Sequence, residues 1–220
     1  MWKGSAKVYR DDIISKLNEN RIVAILRKID SKKTPEVVEA LIAGGIKCFE
    51  ITADTEGAFE SLKFLRDNFK DQILIGAGTI LEPITCRIAI LAGADFIVTP
   101  TLSIETIKMS NMYGKPCIPG AMNPTQILTA YENGASMVKV FPAASLGASY
   151  FREIRGPLSH IPIMATGGIN LGNIEEFQKA GVRMFGVGSS LTDKEAIEND
   201  DYRKLQSLAL QFVEKVSDRI

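Results

Sequence analysis

The chain has 220 residues, of which 45% are hydrophobic and 24% charged; this suffices for one large domain or two small ones and excludes a disordered polypeptide. Lys plus Arg and Asp plus Glu total 26 each, so the basic excess of a general nucleic-acid binder is absent and no nucleic-acid partner is expected. No apolar run approaches the ~18 residues of a membrane span, and the charged start from Met1 to Asn20 lacks the apolar segment of a signal peptide; a cytoplasmic protein without a membrane partner is expected. The three cysteines, Cys48, Cys86 and Cys117, form no CxxC pair and read as buried thiols in a reducing compartment. His160 is the single histidine, set in a polar turn before Ile161-Pro162. It reads as structural or solvent-facing, and one histidine builds no multi-histidine metal site.

In chain order, residues 11–17 read as an extra N-terminal helix within an extension over residues 1–20. Eight short β-rich runs follow, at 22–26, 47–51, 73–75, 96–98, 116–119, 137–140, 162–165 and 184–187. Helical patterns of ten to fifteen residues separate them, the signature of parallel strands with crossover helices. Thr34-Pro35-Glu36 and Asn123-Pro124-Thr125-Gln126 read as capped helix starts, the second with a capping-box glutamine. Ser103 and Asn170 are further N-cap candidates. The last helix, over 202–216, carries Leu205, Leu208, Phe212, Val213 and Val216 at helical spacing. Four helices end in a small residue and a glycine that leads into a strand: Ala43-Gly44-Gly45, Ala92-Gly93-Ala94, Asn133-Gly134-Ala135 and Ala180-Gly181-Val182. Counted from Gly44 as the left-handed cap, each period spans two βα units. An even repeat around eight strands predicts a single (β/α)8 TIM barrel over residues 1–220.

Active sites of such barrels lie at the C-terminal strand ends, and the polar residues there are the candidates. Lys139 interrupts the apolar strand Met137-Val138-Lys139-Val140. Strand alternation turns it away from Val138 and Val140, into the barrel. Burial favours the neutral amine, a nucleophile that forms Schiff bases with ketones and aldehydes. A structural lysine paired with Glu50 or Asp54 is the competing reading. Glu50, in Phe49-Glu50-Ile51, is either a proton relay beside such a lysine or a solvated rim charge. Counted from Gly44 and Gly134, Glu50 stands six residues on and Lys139 five, which places them on opposite faces unless the strands are offset by one. Arg27, after Ala24-Ile25-Leu26, either grips a carboxylate or lies on the surface beside Lys28. Thr79 and Pro100 are candidate pocket residues. Thr166-Gly167-Gly168-Ile169-Asn170 and Gly188-Ser189-Ser190 fall in the seventh and eighth loops, where such barrels commonly hold phosphate on backbone N–H groups.

These residues, in this order, resemble the KDPG/KHG aldolase family, class I aldolases of 2-keto-3-deoxy-6-phosphogluconate and 4-hydroxy-2-oxoglutarate. The likeness runs from about Arg21 to about Lys215. It rests on Ala43-Gly44-Gly45 leading to Glu50-Ile51-Thr52, Gly76-Ala77-Gly78-Thr79, Pro119-Gly120, Val138-Lys139-Val140-Phe141-Pro142-Ala143, Ala165-Thr166-Gly167-Gly168-Ile169 and Gly188-Ser189. It implies a homotrimeric barrel without metal or organic cofactor, acting on a keto-acid or sugar-acid phosphate to release pyruvate and either glyceraldehyde 3-phosphate or glyoxylate. It further implies Lys139 as the Schiff-base lysine and Glu50 as the general acid/base. Thr79, Pro100, Phe141 and Thr166 match pocket positions, and Gly167, Gly168 and Ser189 the phosphate cradle, with Gly188 beside it. One departure concerns the substrate: Asp54 stands where typical KDPG aldolases carry an arginine, four residues after the glutamate. The galactonate-branch aldolases also lack it and use an arginine at the end of the first strand, the place of Arg27. Two rivals are another phosphate-binding barrel, such as a thiamine-phosphate synthase or an isomerase, and a non-catalytic sugar-phosphate-binding barrel.

Overall fold

A computed structural model describes the backbone of residues 3–217 and the side chains of residues 10–217. In chain order the elements are α1 (Lys3–Asn20), β1 (Ile22–Leu26), α2 (Thr34–Ala43), β2 (Cys48–Thr52), α3 (Ala58–Phe69), β3 (Leu74–Gly78), α4 (Pro83–Leu91), β4 (Phe96–Val98), α5 (Ile104–Met112), β5 (Cys117–Ile118), β6 (Gly120–Ala121), α6 (Pro124–Glu132), β7 (Val138–Val140), α7 (Ala143–Leu158), β8 (Ile163–Thr166), α8 (Ile174–Lys179), β9 (Met184–Val187), α9 (Lys194–Glu198) and α10 (Tyr202–Ser217). All strand pairs are parallel, in the order β5-β4-β3-β2-β1-β9-β8-β7-β6.

The count of eight strands is corrected to nine. The fifth β-rich segment, expected over 116–119, runs on to Ala121 and is divided at Pro119, which has no N–H to give a ladder. Its halves serve opposite neighbours: β5 pairs with β4, and β6 with β7. The Pro119 carbonyl accepts from Lys139 N–H at 2.9 Å, and Cys117 O accepts from Ser136 N–H at 3.1 Å. This interrupted strand therefore borders both ends of the sheet, which curls into a barrel.

Two apolar layers hold the barrel. The outer one lies between strands and helices, with Leu41, Phe49, Leu62, Phe151, Phe185 and Phe212 fully buried. The inner one fills the barrel with Val23, Cys48, Leu74, Phe96, Val98, Met137, Met164 and Met184. Ile13 and Leu17 of α1 belong to the inner cluster, so this helix plugs the N-terminal end of the barrel. Arg10 fastens it there, donating to the Gly134 carbonyl at 2.8 Å and to Ser136 Oγ at 2.7 Å. Polar chemistry is left to the other end.

Two expected caps are corrected. Thr34 is the first helical residue of α2, its hydroxyl donating back to Asp30 O, and Lys33 precedes it without a side-chain cap. Asn170 caps only the turn before α8, accepting from Gly172 N–H, while Asn173 stands at the helix start. Ser103 and Asn123 do cap α5 and α6, accepting from the N–H groups of Thr106 and Gln126. Gln126 reaches back to Met122 N–H. Among the described residues, no helix is long and apolar enough to cross a membrane.

Candidate active site

The glycine repeat sets the register of the site once the cap is placed correctly. Gly44 has φ −87°; the left-handed residue after α2 is Gly45, at φ 97°. Its counterparts Gly93, Gly134 and Gly181 have φ 108°, 88° and 88°. Gly44 has a different duty, because a Cβ there would lie 2.4 Å from Ala209 Cβ where α10 crosses. Five residues after each left-handed glycine stand Glu50, Val98, Lys139 and Gly186. These four come from alternate strands around the barrel, the composition of one interior layer in this architecture. Glu50 and Lys139 thus share a face, and the one-residue conflict disappears. Gly186 contributes no side chain to the layer, and the Thr166 side chain takes the space a Cβ there would need, its Oγ1 only 2.5 Å from that position.

Glu50 is fully buried and Lys139 is 4% exposed. Glu50 occupies a slot left by Gly78, where a Cβ would lie 1.7 Å from its Oε1. Neither Glu50 oxygen has a hydrogen-bond partner, and the Thr166 hydroxyl above the layer is likewise unpartnered and buried. Burial pushes the Glu50 carboxyl above its ordinary value; Lys139 and Arg27 pull it back, and Asp54 pushes it further up. Lys139 Nζ lies 5.5 Å from the centre of the Phe141 ring. Among the described residues no carboxylate lies within ion-pair distance of Lys139, so the competing reading of a structural pair with Glu50 or Asp54 is corrected.

Asp54 is engaged elsewhere. Arg27 donates from Nη1 to Asp54 Oδ2 and from Nη2 to Thr79 Oγ1, both at 2.7 Å. Three adjacent strands, β1, β2 and β3, each deliver one of these residues to the mouth. Thr79 holds φ 49°, an uncommon conformation for a β-branched residue that concentrates at functional sites.

A cavity of about 810 Å³ opens at this end. Arg27, Pro100, Lys139, Phe141, Thr166, Gly167, Gly168, Gly188 and Ser189 line it. Glu50 and Thr79 are not on its wall: Glu50 lies in its slot beneath, and Thr79 behind the Arg27 guanidinium. At the far end, the N–H groups of Gly168, Ser189 and Ser190 donate to no protein acceptor among the described residues, leaving a cluster of free donors. Gly167 cannot carry a side chain, since a Cβ would lie 3.0 Å from the Phe141 ring at φ 95°. The sequence reading missed Lys28, Asp30 and Lys33 of the loop after β1 and Lys194 and Glu198 of α9, all on the wall. Their signal was position alone, in the segments that follow the C-terminal ends of β1 and β9. His160 stacks edge-on against Tyr131 with ring centres 5.5 Å apart, away from the site. No cluster of three or more potential metal ligands exists among the described residues.

The sequence model of the family described as KDPG and KHG aldolase matches residues 13–208. The chain belongs to the KDPG and KHG aldolase family. It is 34% identical to 2-dehydro-3-deoxy-phosphogluconate aldolase of Haemophilus influenzae over 203 residues, covering 92% of this chain and 95% of that one. It is 33% identical to 2-dehydro-3-deoxy-6-phosphogalactonate aldolase of Escherichia coli over 171 residues, covering 77% and 83%. Among solved structures, the KDPG aldolase of Legionella pneumophila, with pyruvate captured as a covalent carbinolamine, superposes with a TM-score of 0.83 at 28% identity, covering 95% of this chain and 98% of that one. Asp54, at the place where the resemblance implies an arginine, is paired in this member with Arg27 from the end of β1.

Proposed function

We propose that this family member is a class I aldolase that cleaves a 2-keto-3-deoxy-6-phospho sugar acid, or 4-hydroxy-2-oxoglutarate, to pyruvate and an aldehyde. The observation that carries the reading is the interior layer: a buried lysine on the cavity wall, beside a protonatable carboxyl with no partner of its own. The Lys139 amine adds to the C2 ketone, giving a carbinolamine. Glu50, whose carboxyl burial biases toward its protonated form, gives its proton to the departing hydroxyl, and loss of water leaves the imine. The Glu50 carboxylate then takes the proton of the C4 hydroxyl. The C3–C4 bond breaks, its electron pair passing into the enamine while the aldehyde leaves. Glu50 returns the proton to C3, and water releases pyruvate and free Lys139. Thr166, unpartnered and adjacent, serves as a hydrogen-bond partner for the reacting oxygens.

Arg27 grips the substrate carboxylate, its planar fork suited to that group. The free N–H groups of Gly168, Ser189 and Ser190, with Gly167 and Gly188 allowing close approach, cradle the phosphate. Pro100 and Phe141 flank the carbon chain. The reading requires no metal or organic cofactor. A homotrimer in the cytoplasm belongs to the same proposal; Leu81, just before α4, and Ile84, Ile88 and Leu91 on it are exposed apolar residues, suited to burial between copies. Pyruvate release from the phosphogluconate, phosphogalactonate and hydroxyoxoglutarate substrates, followed by a coupled dehydrogenase, tests the reaction. Release from at least one is expected, and Lys139→Met abolishes it; silence with all three would overturn the proposal.

A further inference from the structure

We propose that Asp54 is a positioning residue for the carboxylate clamp: it holds the Arg27 guanidinium across the cavity mouth and so sets the affinity for the substrate's carboxylate. The inference rests on the aldolase reading above and concerns a residue that reading leaves without a role.

Arg27 follows the last residue of β1 and its side chain is 47% exposed. A long arginine side chain in that position carries about 2 kcal/mol of rotamer entropy, and nothing in strand geometry alone directs it over the cavity. Asp54 and Thr79 do, by two contacts of 2.7 Å. The loop that carries Asp54 is itself fixed on both sides. Ala53 N–H donates to the Gly78 carbonyl of β3 at 2.7 Å, and Thr55 Oγ1 accepts from Lys28 N–H, beside β1, at 2.9 Å. Thr52 and Thr55 join their hydroxyls at 2.9 Å beneath it. Asp54 is therefore presented by a braced turn, in contrast to the pair between Lys194 and Glu198 on successive turns of one exposed helix.

The count of donors shows why the pair does not block the clamp. A guanidinium has five N–H groups. Asp54 takes one from Nη1 and Thr79 one from Nη2, which leaves Nε–H and one N–H on each Nη for a ligand. The two anchors hold the plane of the fork while its remaining donors stay free for a planar carboxylate. The acidic residue in the arginine's usual place thus does not repel substrate directly; it orients the arginine supplied by the neighbouring strand.

The test is steady-state cleavage of the best substrate by the parent and by Asp54→Ala, Asp54→Asn and Asp54→Glu, with circular dichroism melts confirming folding. Asp54→Ala raises KM about tenfold, the scale of one partly exposed charge-assisted contact, with a much smaller change in kcat. Asp54→Asn, which keeps a carbonyl acceptor, gives an intermediate rise and serves in its place if the alanine variant does not fold. Asp54→Glu restores part of the loss. In an Arg27→Ala background, removing the Asp54 carboxylate has no further effect on KM, a result that a merely structural role would not produce. An unchanged or lowered KM, or a loss that persists without Arg27, would overturn the positioning role while leaving the aldolase reading intact. Absence of pyruvate release by the parent would instead overturn the aldolase reading, and this inference with it.

Discussion

Gly78→Ala isolates the contact that shapes the interior layer of Glu50 and Lys139. The added Cβ would lie 1.7 Å from Glu50 Oε1, 2.2 Å from Cδ and 2.5 Å from Cγ. Three atoms of one side chain are approached more closely than any real contact permits, and Glu50 is fully buried, so it has no path to solvent. Overpacking of this kind costs about 3 kcal/mol, at the upper end of its usual range. For a chain of this size that is roughly 6–12 °C in Tm. Activity falls too, by about a hundredfold if the carboxyl is displaced by 1 Å. The decisive assay is a double-mutant cycle by calorimetry with Glu50→Ala as the second change. Once Glu50 is truncated, the new methyl fills space the carboxyl vacated, and Gly78→Ala becomes nearly neutral. Equal cost in both backgrounds would refute the argument that Gly78 exists to admit Glu50.

Two further outcomes follow from the same structure. Burial holds the Glu50 carboxyl above its ordinary value, so the folded chain keeps this proton where the unfolded chain has released it, and stability falls as pH rises from about 4.3 toward the folded value. Glu50→Gln removes that loss: its Tm exceeds the parent's at about pH 8 and the advantage vanishes near pH 4, whereas parallel curves would contradict the assignment. Replacing both Ile84 and Ile88 on α4 by Asp converts the sedimentation profile from three chains to one; a parent already monomeric, or an unaffected variant, would refute the role given to these exposed apolar residues.

Much of the barrel was legible because its signals are local. Strand ends at 22–26, 96–98 and 184–187 follow directly from apolar runs bounded by turn residues and coincide with β1, β4 and β9. The division of the fifth strand was hidden because Pro119 interrupts a ladder whose two sides belong to residues distant in sequence. The choice between Gly44 and Gly45 was hidden for another reason. Both are glycine, yet one is demanded by φ and the other by the crossing of α10 at Ala209, and only the folded packing separates the two demands. That single residue decided whether Glu50 and Lys139 could meet. The pairing of Arg27 with Asp54 was beyond pattern altogether. The two follow different strands, and the resemblance offers Arg27 as the substitute arginine without placing Asp54 against it.

The most direct test of the account is borohydride reduction in the presence of pyruvate, followed by intact-mass and peptide analysis. A single reduced pyruvyl adduct on Lys139, lost in Lys139→Met, is the predicted result. No adduct, or adducts scattered over surface lysines such as Lys63 and Lys108, would contradict the claim that the interior layer is a Schiff-base site.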